Sequence, residues 1–312
     1  MMAYKTVPFL RASNGLNVIA DPVRIVFDAE KGVVDLATAY NVDIDSSGRI
    51  SRRTGQTLKG AWASHSIFAE GDVCLFVSGT ALFQLNPDYT RTGIRSGLTP
   101  NLRMYYVRVK DRVYYANGRE LGYVLGGVSY YWEADTYVGP ATTRVFSDPP
   151  ANITMLEIYK GRIYAAADDV LWYSEPFAYG WFDLARNFKV FKGKIRFIKA
   201  AYGTTDRDSD GLYVGTDFGV EFLEGDNPDQ MTREQVSDSP PVIGTAVQCE
   251  AARVAGPIKT GKVVLWTAQN GIWVGGANGQ ADCITKERLK YPSALYGAGV
   301  YYNGKYIVLL QE

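Results

Sequence analysis

Apolar positions in this chain come in short runs, and the runs come in pairs. In residues 69–77, 107–115, 158–164 and 300–308, two aromatic or β-branched segments flank a turn carrying Gly71-Asp72, Lys110-Asp111, Lys160-Gly161 or Asn303-Gly304. Such pairs encode hairpins, because Gly, Asn and Asp accept the backbone angles of a two-residue turn while the flanking side chains favour a pleated strand. Two weaker copies stand at 207–214 and 260–266. The turn centres lie roughly 40 to 50 residues apart, the repeat length of a four-stranded propeller blade. Six copies predict an all-β chain: a β-propeller of about six blades over residues 61–312, preceded by an extended arm and hairpin in residues 1–60. Within that arm, residues 41–53 alternate across Ser46-Ser47-Gly48, a hairpin signal. The last apolar run, 306–310, needs a pairing partner, and an N-terminal strand that completes the final blade is the expected one.

Composition supports strands over helices. Of 312 residues, 46% are hydrophobic, enough for a large core, and the 22 Tyr and 32 Gly suit strands and turns. No sustained 3.6-residue stripe occurs; residues 183–188 are the best helical candidate, and they are few. Residues 1–8 have no apolar centre of signal-peptide length and no stretch approaches a membrane span, so the reading is a chain made in the cytoplasm that engages no membrane. Cys74, Cys249 and Cys283 are odd in number and far apart, which fits buried reduced thiols. The 33 basic and 33 acidic residues cancel, whereas a free-standing nucleic-acid binder carries a basic surplus.

Candidate chemistry is local. Asp206, Asp208 and Asp210 alternate before Gly211, and Asp217 falls at the twelfth position of a calcium-type loop. Calcium is thus the one cofactor considered, against the plainer reading of an acidic, soluble turn. The 43–54 stretch matches that loop less well. Arg49, Arg52 and Arg53, with Arg24 nearby, make a basic patch suited to an acidic partner surface or passing DNA; the alternative is a solvated hairpin with a few ion pairs. Tyr114, Tyr164, Trp172 and Trp266 fall in strand patterns and read as blade core, while Tyr130, Tyr131, Trp132, Tyr179 and Trp181 sit in loop-like surroundings and read as a contact surface for protein or glycan. His65 is the single histidine and reads as structural or surface. No nucleophile elbow or Cys-His cluster is present, residues 174–181 lack the aspartate of a sialidase Asp-box, and no carboxylate pair stands out; no catalytic residues are assigned.

One stretch carries a family-level likeness. Asn41-Val42-Asp43, Gly48-Arg49-Ile50 and Arg52-Arg53-Thr54-Gly55, preceded by Asp21-Pro22-Val23-Arg24 and Gly32-Val33-Val34-Asp35-Leu36, resemble the opening of tailed-bacteriophage virion proteins of the tail hub, nozzle or packaged-DNA stabilisation type. The resemblance covers about the first 60 residues. It implies a structural tail protein of the virion, assembled in the host bacterial cytoplasm. The implied assembly is a ring, a hexamer favoured, that binds portal-adaptor or tail-tip proteins and lets double-stranded DNA pass. A neutral, non-enzymatic disc that tiles into a ring agrees with this. The other readings are a carbohydrate-binding propeller and a propeller enzyme acting on glycans.

Overall fold

The computed structural model describes residues 12–25, 33–45, 47–55, 57–134, 144–205, 209–254, 256–285, 288–289, 291 and 293–311, without the side chain of Arg24. The N-terminal region holds β1 (Ala12–Leu16), a 3-10 turn (Pro22–Arg24), β2 (Val33–Leu36), β3 (Val42–Ile44) and β4 (Ile50–Arg52). β1 and β2 pair in parallel, and β3 and β4 form the expected hairpin with Ile44 opposite Ile50.

Five four-stranded antiparallel sheets follow. The first is β5 (Ser64–Glu70), β6 (Val73–Ser78), β7 (Ala81–Leu85) and β8 (Arg91–Arg95), and the second is β9 (Tyr105–Val109), β10 (Arg112–Ala116), β11 (Leu121–Leu125) and β12 (Val128–Tyr130). The third is β13 (Met155–Tyr159), β14 (Arg162–Ala167), β15 (Val170–Tyr173) and β16 (Phe188–Val190). The fourth is β17 (Ile195–Ala201), β18 (Gly211–Thr216), β19 (Gly219–Glu224) and β20 (Thr232–Ser237). The fifth is β21 (Val247–Glu250), β22 (Lys262–Ala268), β23 (Gly271–Gly275) and β24 (Ala281–Cys283). A last sheet has two strands, β25 (Tyr296–Tyr302) and β26 (Lys305–Gln311). The protein is a β-propeller. The four clearer predicted turns join β5 to β6, β9 to β10, β13 to β14 and β25 to β26, and Lys160-Gly161 and Asn303-Gly304 hold positive φ at each central residue, as a hairpin turn that follows strand twist requires; the two weaker copies fall instead on the longer connections into β18 and β22.

Period-two alternation sorts each strand's side chains between the two neighbouring blades. On β14, Ile163 and Ala165 join the core shared with the second blade, while Tyr164 and Ala166 join the core shared with the fourth. On β22, Val264 and Trp266 face the fourth blade, while Val263 and Leu265 face the last sheet. Both faces are buried, which is why these strands read as near-continuous apolar runs. The interior is therefore a series of five layers between successive blades, not one central mass.

Two expectations change, and a third falls partly outside the described residues. Residues 183–187 form a turn, held by Asp183 accepting from Asn187 N and Arg186 N through its carbonyl, and no helix follows. The thiols of Cys74, Cys249 and Cys283 are half-buried and form no disulfide. Among the described residues of the arm, β1 pairs with β2 and β3 with β4, and none pairs with the last sheet; residues 1–11 and 26–32, where the expected N-terminal strand can also fall, lie outside the described residues. The described part of the arm touches that blade at the blade's turn, where Lys305 Nζ lies 2.6 Å from Asp43 Oδ2.

Candidate functional site: an open blade and its neighbouring arm

The last sheet has one covered face and one bare face. Tyr301 and Tyr306 pack on the fifth blade's core beside Val247 and Cys249. The Tyr306 hydroxyl donates to Thr245 O at 2.7 Å and lies 3.1 Å from Thr267 Oγ1. The alternate positions point the other way: Val300 is 52% exposed, Tyr302 72%, Ile307 46% and Leu309 72%. Opposite stands the first blade, where Ile67 on β5 is 68% exposed, on the face away from Phe68 and the second blade. Among the described residues no buried core layer joins the sixth sheet to the first, and no third strand pairs with β26. An unpaired apolar edge of this kind is a template for another strand or surface.

The neighbouring hairpin carries the basic patch. Arg49, Arg52 and Arg53 are exposed, and Arg53 Nε is 3.3 Å from Asp43. Asp45 builds the turn by accepting from Ser47 N and Arg49 N at 2.9 and 3.0 Å. Gly48 sits at φ +81°, where a Cβ would stand 2.7 Å from Ser13 O, so glycine lets the hairpin lie against β1. Arg24 belongs to the Pro22–Arg24 turn, and its side chain lies outside the described residues.

The aromatic group predicted as one surface divides. Tyr130 and Tyr131 are 45% and 74% exposed. Trp132 is core, not surface: it packs on Tyr114 and Phe182, and its Nε1 donates to Tyr179 O at 3.0 Å. Tyr179 and Trp181 are half-buried, and Trp181 stacks on Phe146 at 5.3 Å. A groove of about 350 Å³ remains, walled by Tyr123, Tyr130, Tyr131 and Arg112.

Of the acidic positions, the two described ones, Asp210 and Asp217, do not converge. Asp206 and Asp208 lie outside the described residues. Asp210 accepts from Gly203 N and pairs with Lys160 at 2.7 Å, while Asp217 pairs with Arg196 at 2.7 Å. The six-residue strand β18 runs between them. An extended strand of that length spans about 20 Å, so one ion cannot reach both carboxylates. The calcium loop needed a sharp curl at 211; the chain makes a strand there because Leu212, Tyr213 and Val214 are core.

Sequence reading missed two charged clusters. Arg144 bonds Glu175 and Asp183, and Asn187 Nδ2 donates to Glu175 at 2.7 Å, fastening the excursion after β12 to the third blade. Lys199 meets the largely buried Glu157 at 2.6 Å across the third and fourth blades. Pairs so far apart in sequence leave no local pattern.

No family model matches the chain and no curated protein matches it. Similar solved structures include an extracellular domain from B. thetaiotaomicron assigned to a one-component system, with 16% identity and a TM-score of 0.44 over 71% of this chain. BBS1N, solved with ARL6DN, has 15% identity and a TM-score of 0.42 over 66% of this chain. This chain spans 28% and 62% of those two. The N-terminal domain of Nup159 has 10% identity and a TM-score of 0.41, with 79% of this chain and 72% of that one covered.

Proposed function

We propose that this protein is a structural, ring-forming component of a bacteriophage tail, in which the open sixth blade of one copy is covered by a second copy of the same chain. The carrying observation is the contrast between five sealed blade interfaces and the bare apolar seam of Ile67, Val300, Ile307 and Leu309. β26 has the composition of a strand buried on both faces but is covered on one, so it calls for a cover. The virion-like N-terminal stretch supports the tail assignment, and its exposed arginines beside the seam suit contact with portal-adaptor or tail-tip proteins, or with DNA in transit. The protein acts by assembly, not by chemistry, and its place is the virion.

Mass photometry of the full chain across a concentration series tests this. A discrete ring that is lost in Leu309→Lys, with unfolding temperature kept, is the expected result. A monomer at every concentration, alone and with the products of its neighbouring reading frames, overturns it. The Tyr123–Tyr130–Tyr131 groove favours a second reading, a carbohydrate-binding propeller, because stacked rings offer flat faces to a sugar. Fluorescence quenching by an oligosaccharide panel, lost in Tyr131→Ala, would put that reading first.

A further inference from the structure

The propeller axis ends in a second, chemically different feature. The starts of the inner strands β5, β9, β13, β17 and β25, with Ile243 ahead of β21, surround a mouth of about 860 Å³. That volume lies within the usual range for small-molecule sites, and the wall is largely apolar: Leu102, Met155, Ile243, Leu295 and Leu310. Set among these are three cations, Arg103, Lys194 and Arg196. Two have carboxylate partners: Arg196 binds Asp217 at 2.7 Å, and Lys194 lies 3.7 Å from Asp168. Arg103 has none within ion-pair distance among the described residues. It is held by backbone carbonyls, donating to Ile243 O at 3.2 Å and to Gly297 O at 2.5 Å, and it lies against the Tyr105 hydroxyl.

Tyr105 supplies the second half. It lines the same mouth, and its hydroxyl, shielded from water, lies against the Arg103 guanidinium, which is itself a donor, so that the phenol's proton meets no acceptor among the described residues. A buried donor without an acceptor costs stability unless something fills the role. Burial raises the Tyr105 pKa and the nearby Arg103 charge opposes that rise, so the phenol stays protonated and able to donate. His65, on the same rim, is kept neutral by burial and by Arg103, and so adds no competing charge at neutral pH. The opposite end of the channel differs: Glu70, Glu157 and Glu250 there balance Arg108, Lys199 and Lys262.

We propose that this mouth binds a small organic anion, a carboxylate or phosphate ester on an apolar body. The acidic head meets Arg103 and Lys194 and accepts from Tyr105, while the body lies on Met155, Ile243 and Leu310. An excess of fixed positive charge in a low-dielectric recess concentrates an anion there, and the apolar wall then selects against inorganic ions. This inference does not depend on ring assembly.

Calorimetric titration of the full chain with phenyl phosphate, benzoate and neutral benzyl alcohol tests it. At least one anion is expected to saturate, with the alcohol at least tenfold weaker; the stronger anion tells which head group is preferred. Tyr105→Phe and Lys194→Met should each weaken that anion about tenfold, a loss of about 1.4 kcal/mol. Tyr105→Phe removes a buried hydroxyl whose proton has no acceptor, so its unfolding temperature in buffer should hold within about 2 °C, separating a lost ligand contact from a lost fold. Equal binding of anion and alcohol, unchanged affinity in both variants, or no saturation by either anion up to about 5 mM overturns the proposal.

Discussion

β22 in the fifth blade and β26 in the last sheet are nearly the same strand in composition and opposite in circumstance. Lys262–Ala268 reads Lys-Val-Val-Leu-Trp-Thr-Ala and is buried from its second residue onward; Lys305–Gln311 reads Lys-Tyr-Ile-Val-Leu-Leu-Gln and alternates between half-buried and exposed. Side-chain chemistry does not separate them. Neighbours do: β22 has a blade on each face and a strand on each edge, whereas among the described residues β26 has the fifth blade on one face and β25 at one edge. The difference teaches that an apolar strand in a propeller is a demand for cover on two faces, and that the last sheet meets half of it.

Truncation should separate the two regions most. Trp266 is fully buried among Phe197, Tyr213 and Trp273, so Trp266→Ala is expected to cost about 3–5 kcal/mol in denaturant unfolding. Leu309→Ala in the free chain should cost under about 1 kcal/mol. Similar losses at both positions in a verified monomer would end the comparison, because Leu309 would then have to be covered.

The covered face of the last sheet is the next place to press. Tyr306→Phe removes the hydroxyl that ties this sheet to Thr245 and Thr267, for a cost of about 1 kcal/mol. Cys249 lies beneath the same contact, and burial, with a smaller push from Glu250, raises its thiol to about 11. At pH 8 little thiolate is present, so alkylation should be slow in the parent and faster in Tyr306→Ala. Unchanged alkylation would mean that the sheet stays seated without its anchor.

Smaller effects belong to the arm. Gly48→Ala places a methyl against Ser13 O at a positive φ, and should cost about 1 kcal/mol, seen as faster hydrogen exchange in β3 and β4 while the blades are unmoved. Asp43 gives the smallest signal. The hydrogen bond from Lys305, joined by one from Arg53, holds its carboxyl below the ordinary 3.8. A lowered folded-state pKa means that the arm's attachment is fully present above pH 3.8 and weakens as pH falls through the lowered value. Protection of β3 and β4 should drop in that window, and Lys305→Met should remove the pH dependence; an unaltered acid response would assign it elsewhere.

Much of this architecture was legible in the chain. The turns at Lys160-Gly161 and Asn303-Gly304 place Gly, and in the second case Asn, at positive φ, so sequence marks them directly; at Lys110-Asp111 it is Lys110 that holds the positive φ, and the flanking apolar runs mark the turn. The 41–53 hairpin was legible for the same reason. The aromatic surface was only half legible, because Trp132 sits in a loop-like run but packs on Tyr114 and Phe182, which come from elsewhere in the chain. The twelfth-position spacing did not bring Asp217 to Asp210, since it counts residues along a curl while the chain between them is extended.

Sequence alone therefore determined the hairpins, their number and the all-β class, because turn chemistry and period-two patterning act between residues a few positions apart. The tertiary structure alone decided which apolar faces are covered, where Arg103 and Tyr105 meet at the axis, and that among the described residues the last sheet has two strands. Those outcomes depend on residues brought together from distant blades, Arg103 onto Gly297 O and Lys305 onto Asp43, and no local pattern records a contact made across the ring.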